Sequence, residues 1–113
     1  MNQEELIRYI TDKIVEKFNP RRIILFGSRA CGEAREDSDY DLFIEMETEK
    51  RQAERAIKVD ELFGLHSWSM DVFVFTPQEI AALRSAKRSF LAVIEQEGRL
   101  LYERPAIKAC LSA

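Results

Sequence analysis

Two aspartates, Asp39 and Asp41, stand at the head of an apolar run that ends at Met46, ten residues after a Gly27-Ser28 pair that closes an earlier apolar run. Side chains two apart on a strand point to one face of the sheet. Two carboxylates held that close resist ionising together unless a cation lies between them. A hard divalent ion such as Mg²⁺ supplies that charge, and it takes carboxylate oxygens together with substrate phosphates. Gly-Ser at a strand end lets backbone approach a phosphate closely. The stretch from Leu25 to Ile44 therefore points to metal-assisted phosphate chemistry, and it requires two strands joined by a short polar connection.

The rest of the chain is consistent with a small globular setting for that stretch. A length of 113 residues suits one domain, expected over residues 1–104, with a tail over residues 105–113. The composition is 46% hydrophobic and 33% charged, with a net charge of −3. That balance argues against nucleic acid or an anionic membrane as the main partner. Cys31 and Cys110 are isolated in sequence, which reads as two free thiols rather than a zinc site. No apolar run approaches the roughly 20 residues of a membrane span, and no signal-peptide pattern opens the chain, so a cytoplasmic location is expected.

In chain order, Leu6, Ile10, Ile14 and Phe18 recur every four residues and predict an amphipathic helix over residues 3–18, capped by Asn2 with Glu5. Asn19-Pro20 stops it. Residues 21–26 read as a buried strand, 28–32 as one helical turn, 33–38 as a charged loop and 39–46 as the second strand, with Tyr40, Leu42, Ile44 and Met46 opposite the aspartates. A helix is expected over 49–63, burying Ala53, Ala56, Ile57 and Phe63 and ending at Gly64. Residues 68–75 alternate as a third strand, with Asp71, Phe73 and Phe75 on one face. Thr76-Pro77-Gln78-Glu79 is a helix start. The helical segment that follows bends near 85–87 and resumes to Gly98, and residues 99–102 can add an edge strand. The fold class is α/β: a small mixed sheet with helices packed on it.

The short connection between strands one and two favours antiparallel pairing, and the helix between strands two and three favours parallel pairing. With strands two and three adjacent, Gly27-Ser28, Asp39, Asp41 and Asp71 all meet at one rim. Asp71 interrupts the apolar run from Met70 to Phe75, a costly placement if buried and unpaired. A wet strand end, or pairing with a basic residue such as Arg22, is the structural alternative. Other phosphate and metal motifs fail on spacing. Glu33-Ala34 stands where a P-loop needs Lys-Ser/Thr, and Leu42 and Thr48 stand where an EF-hand needs Gly and Glu. His66 has no partner at catalytic or ligand spacing. Trp68, Phe73 and Phe75 read as core or interface packing.

The phrase Phe-Gly-Ser-Arg-Ala-x-Gly-x-Ala-x-x-x-Ser-Asp-Tyr-Asp-Leu, beginning at Phe26, resembles the minimal nucleotidyltransferase (MNT) branch of the DNA polymerase β-like nucleotidyltransferase superfamily. The resemblance covers most of residues 5–100; Cys31 stands where many members carry Arg. It implies the polymerase β-like fold and transfer of a nucleoside monophosphate from a nucleoside triphosphate to a hydroxyl. By analogy Asp39 and Asp41 hold two Mg²⁺ ions, and Asp71 completes the second metal site and helps deprotonate the acceptor. Gly27 and Ser28 hold the β- and γ-phosphates of ATP, with Arg29 as helper.

The resemblance further implies a separate partner, a small all-helical HEPN protein that the MNT member adenylylates as its antitoxin. Homo- or hetero-oligomers are compatible with such a pair. Two other functions fit the same residues. One is a binding module that neutralises a helical partner without turnover. The other is a small-molecule nucleotidyltransferase resembling the aminoglycoside-modifying enzymes.

Overall fold

The isoleucines of the first helix need an apolar sheet face to bury against, and that requirement organises the molecule. The computed structural model of the chain describes residues 2–32, 38–85 and 89–105, apart from the side chains of Cys31 and Ser89. Helix α1 (Gln3–Phe18) is closed at its start by an Asn2–Glu5 capping box and at its end by Asn19 in a left-handed conformation. Strand β1 (Arg22–Phe26), helical turn α2 (Ser28–Cys31) and strand β2 (Tyr40–Glu45) follow. Then come helix α3 (Gln52–Glu61), strand β3 (Met70–Phe75), helices α4 (Pro77–Ser85) and α5 (Ser89–Glu97), and strand β4 (Arg99–Glu103). The expected loop at 33–37, the bend at 86–87, Cys110 and the tail beyond 105 lie outside the described residues.

The sheet order is β3-β2-β1-β4. Strand β1 pairs antiparallel with β2 and with β4, while β2 and β3 run parallel. The crossover through α3 makes that last pair parallel, as a helical connection demands. Strand β4 is a full member of the sheet at its edge rather than an optional addition.

Each sheet face carries its own core. On one face Ile7, Ile10 and Ile14 of α1 and Val59 of α3 pack on Ile23, Leu25, Tyr40, Leu42, Ile44 and Val74. On the other, Ile80 of α4 and Leu91 and Ile94 of α5 pack on Ile24 and Phe43. The molecule is thus three layers deep, and β2 is buried from both sides.

Helix α3 departs from the expected stripe. Ile57 is 55% exposed, Ala53 is exposed too, and the buried positions are Arg55 and Val59, with Phe63 just past the helix. The period of four is kept but rotated around the helix. Arg55 sets the rotation: its guanidinium donates to the carbonyls of Lys50 and Val74 and to both oxygens of Glu79. An apolar count alone cannot anticipate a buried arginine.

Candidate active site

The end of β1 creates the site. Gly27 turns the chain from strand into α2 with φ 79° and ψ −158°, a conformation that L side chains rarely adopt. A Cβ at this position would lie 2.3 Å from Oδ2 of Asp41. Glycine is therefore required twice over, by the backbone angle and by the carboxylate beneath it. The N–H of Ala30 donates to the Gly27 carbonyl at 3.1 Å and closes the turn. Helix starts leave backbone N–H groups without intrahelical acceptors, which suits phosphate contact near Gly27 and Ser28.

Pairing register brings the carboxylates under this turn. Asp41 lies opposite Phe26 of β1 and opposite Asp71 of β3. Asp39 precedes β2 by one residue and is exposed, Asp41 is half-buried, and Asp71 is exposed on the edge strand. Burial raises the Asp41 carboxyl above its ordinary value of 3.8; the charges of Asp71 and Asp39 raise it further, as does a hydrogen bond with Asp71. Arg22, the alternative partner for Asp71, is instead bound to Glu45 at 2.6 Å and Glu95 at 2.7 Å. The interruption of the β3 apolar run thus places a carboxylate beside Asp41, at the wet end of the strand.

Arg29 anchors the surroundings. Its guanidinium donates to the Ser38 carbonyl at 2.8 and 3.2 Å and to Gln3 Oε1 at 2.7 Å, and it lies 4.2 Å from the centre of the Tyr40 ring. These contacts tie α2 to the residue just before Asp39. Gln3 carries no sequence signal for this part, being 26 residues from Arg29, and Ser38 takes part through its backbone carbonyl, which no side-chain pattern reports.

His66 is structural. Its ring lies between the Asp60 carboxylate at 2.9 Å and the Trp68 carbonyl at 2.6 Å, stacked on the Trp68 indole.

One groove, of about 500 Å³, runs along the open edge of β3 and is lined by Asp71, Phe73, Met70, Ala56 and Ile57. A larger cavity of about 910 Å³ between α1 and β4 contains none of the three carboxylates. Chemistry rather than size therefore marks the groove beside Asp71 as the relevant one.

Among the described residues no three His, Cys, Asp or Glu side chains close into a ready-made metal cage. The donor set nevertheless fits a hard cation: carboxylate oxygens only, an Asp41–Asp71 pair close enough for each charge to resist the other, and a glycine that leaves room above Asp41.

The family model described as polymerase beta, nucleotidyltransferase matches residues 8–106. This chain belongs to that nucleotidyltransferase family. A crystal structure of a Sulfolobus solfataricus protein, provisionally named a nucleotidyltransferase, is similar in fold, with a TM-score of 0.61 and 19% identity over 88% of this chain and 79% of that one. No curated protein sequence matches the chain. The family and the fold together give this chain the general activity of nucleotidyl transfer, on the mixed sheet the sequence predicted.

Proposed function

We propose that this nucleotidyltransferase moves AMP from ATP to a hydroxyl on a partner protein, with Mg²⁺ as cofactor. The partner we propose is a small all-helical HEPN protein, for which this chain acts as antitoxin. The observation that carries the reading is the register of Asp41 with Asp71 beneath Gly27. Supporting it, Asp71 lies on an edge strand beside an open groove, where a macromolecular acceptor can approach from outside the sheet.

In this reading Gly27 and Ser28 receive the β- and γ-phosphates, and Arg29 holds the turn in place while remaining within reach as a helper. The acceptor oxygen attacks the α-phosphorus, and the bond from that phosphorus to the oxygen bridging it to the β-phosphate breaks. Pyrophosphate departs toward the turn while the hydroxyl proton passes to Asp71. Asp39 and Asp41 would hold Mg²⁺, with Asp71 completing the set. Bound there, the ions neutralise the crowded carboxylate and phosphate charge and polarise the phosphoryl oxygens. The protein's own share is position and field, which dominate this class of chemistry.

The test is intact mass of a purified HEPN partner incubated with this chain, ATP and Mg²⁺. The expected result is a gain of one or more AMP groups, slowed by Ser28→Ala and abolished by Asp39→Asn; loss of one such contributor typically costs on the order of 10²–10³ in rate. An unmodified partner in a stable complex would favour the binding-module function. AMP on an added small molecule instead would favour the small-molecule enzyme.

A further inference from the structure

Behind the carboxylates stands a wall of three phenylalanines that the chemistry above does not use. Phe26 precedes the Gly27 turn and lies in register with Asp41, while Phe73 follows Asp71 by two residues on the same sheet face. Phe90 reaches in from α5. The ring centres are 5.7 Å apart for Phe26 and Phe73, and 6.3 Å from each of these to Phe90. The Phe26 and Phe73 rings meet across β2, the strand that lies between theirs and carries Asp41. The wall is not closed over: Phe73 is 38% exposed and Phe90 43%. Val93, three residues after Phe90 and so on the same helix face, is 47% exposed.

We propose that Phe73 and Phe90, supported by Phe26, form the platform on which the base of the nucleoside triphosphate stacks. The proposal rests on the nucleotidyl-transfer reading and assigns where the nucleoside lies. The α-phosphorus must lie at Asp41 and Asp71, with the departing phosphates toward Gly27. Two residues along a strand span about 6.7 Å, comparable to the ribose that separates an α-phosphate from its base. Phe73 stands at that distance from Asp71, on the side away from the turn. The groove at the β3 edge, along which the acceptor approaches Asp71, also includes Phe73 in its lining, so the base would border the acceptor's path. The Phe73 and Phe90 rings stand 64° apart, so a base lies flat on one with the edge of the other against it. Contact through the π-face accepts any base and favours the larger purines.

Calorimetric titration of the purified chain, in Mg²⁺, with ATP and separately with inorganic tripolyphosphate tests this. Phe73→Ala and Phe90→Ala should each weaken ATP binding about tenfold, a typical loss for one stacking partner. Tripolyphosphate affinity should not change. Phe90→Trp should hold ATP at least as tightly as the native chain, and ATP and GTP should bind more tightly than CTP and UTP. ATP affinity unmoved by both alanine variants would overturn the platform while leaving nucleotidyl transfer intact, and would turn the wall toward the acceptor. Equal weakening of ATP and tripolyphosphate would also overturn it, since the rings would then only support the turn. A native chain that binds neither ligand would defeat the transfer reading itself, and the platform with it.

Discussion

Half withdrawn from water, Asp41 faces Asp71 across the strand pair, has Asp39 two residues behind it, and has no Cβ above it at Gly27. Its carboxyl is raised above 3.8 by burial and by those two charges. The folded chain therefore keeps this proton to a higher pH than the unfolded chain does. Below the ordinary value the group costs nothing; as pH rises through the raised value, its ionisation weakens the fold. Asp41→Asn removes that cost. At pH 7 without metal, the variant should melt at the same temperature as the native chain or a few degrees higher, and the gap should close below about pH 4. Saturating Mg²⁺ should steady the native chain and leave the variant nearly unchanged. A large fall in the metal-free melting point of the variant would mean that Asp41 holds the fold together. The carboxylates themselves were legible because strand alternation and topology are both written locally. The clamp on Arg29 was not: Gln3 and Ser38 are respectively 26 and nine residues away from it in sequence.

Elements were read most reliably where local chemistry decides them. The Thr76–Glu79 capping box predicted from four residues is present, with Thr76 N donating to Glu79 Oε1 at 2.9 Å and Glu79 N donating to Thr76 Oγ1 at 3.2 Å. The same Glu79 binds Arg55 of α3, and that second duty turned the helix away from its apolar count. The Arg55 hydrogen bond is the largest influence holding the Glu79 carboxyl below its ordinary 4.5, although burial opposes it. Stability from this pair is therefore present above pH 4.5 and is lost as the pH falls through the lowered value. Arg55→Leu strands the Val74 and Lys50 carbonyls and leaves Glu79 without its cation. With Glu79 37% exposed, the cost should be about 2 kcal/mol at pH 7, below that of a fully buried pair. Urea unfolding of both chains at pH 7 and pH 3 measures it; the difference should shrink at pH 3, and an equal difference at both would remove the ion pair from the explanation.

At the scale of the whole molecule, strand direction did most of the predictive work. One antiparallel and one parallel pairing around β2 are enough to bring Gly27, Asp41 and Asp71 together, and both follow from connection length. The aromatic wall was only half legible. Alternation put Phe73 on the face of Asp71, but Phe90 joins it through the packing of α5, which no spacing within β3 encodes. The resulting layout sets an electrostatic rim between a glycine turn, an open groove and an apolar wall. That layout serves transfer of the α-phosphoryl group with its nucleoside, rather than of the terminal phosphate alone. The most direct measurement incubates the chain, Mg²⁺ and the proposed HEPN-type partner in parallel with ATP labelled on the α- or the γ-phosphate. Label from the α position should become bound to the partner, label from the γ position should leave in pyrophosphate, and Asp41→Asn should abolish the transfer. Partner labelled from the γ position, or α-label transfer that survives Asp41→Asn, would contradict the account.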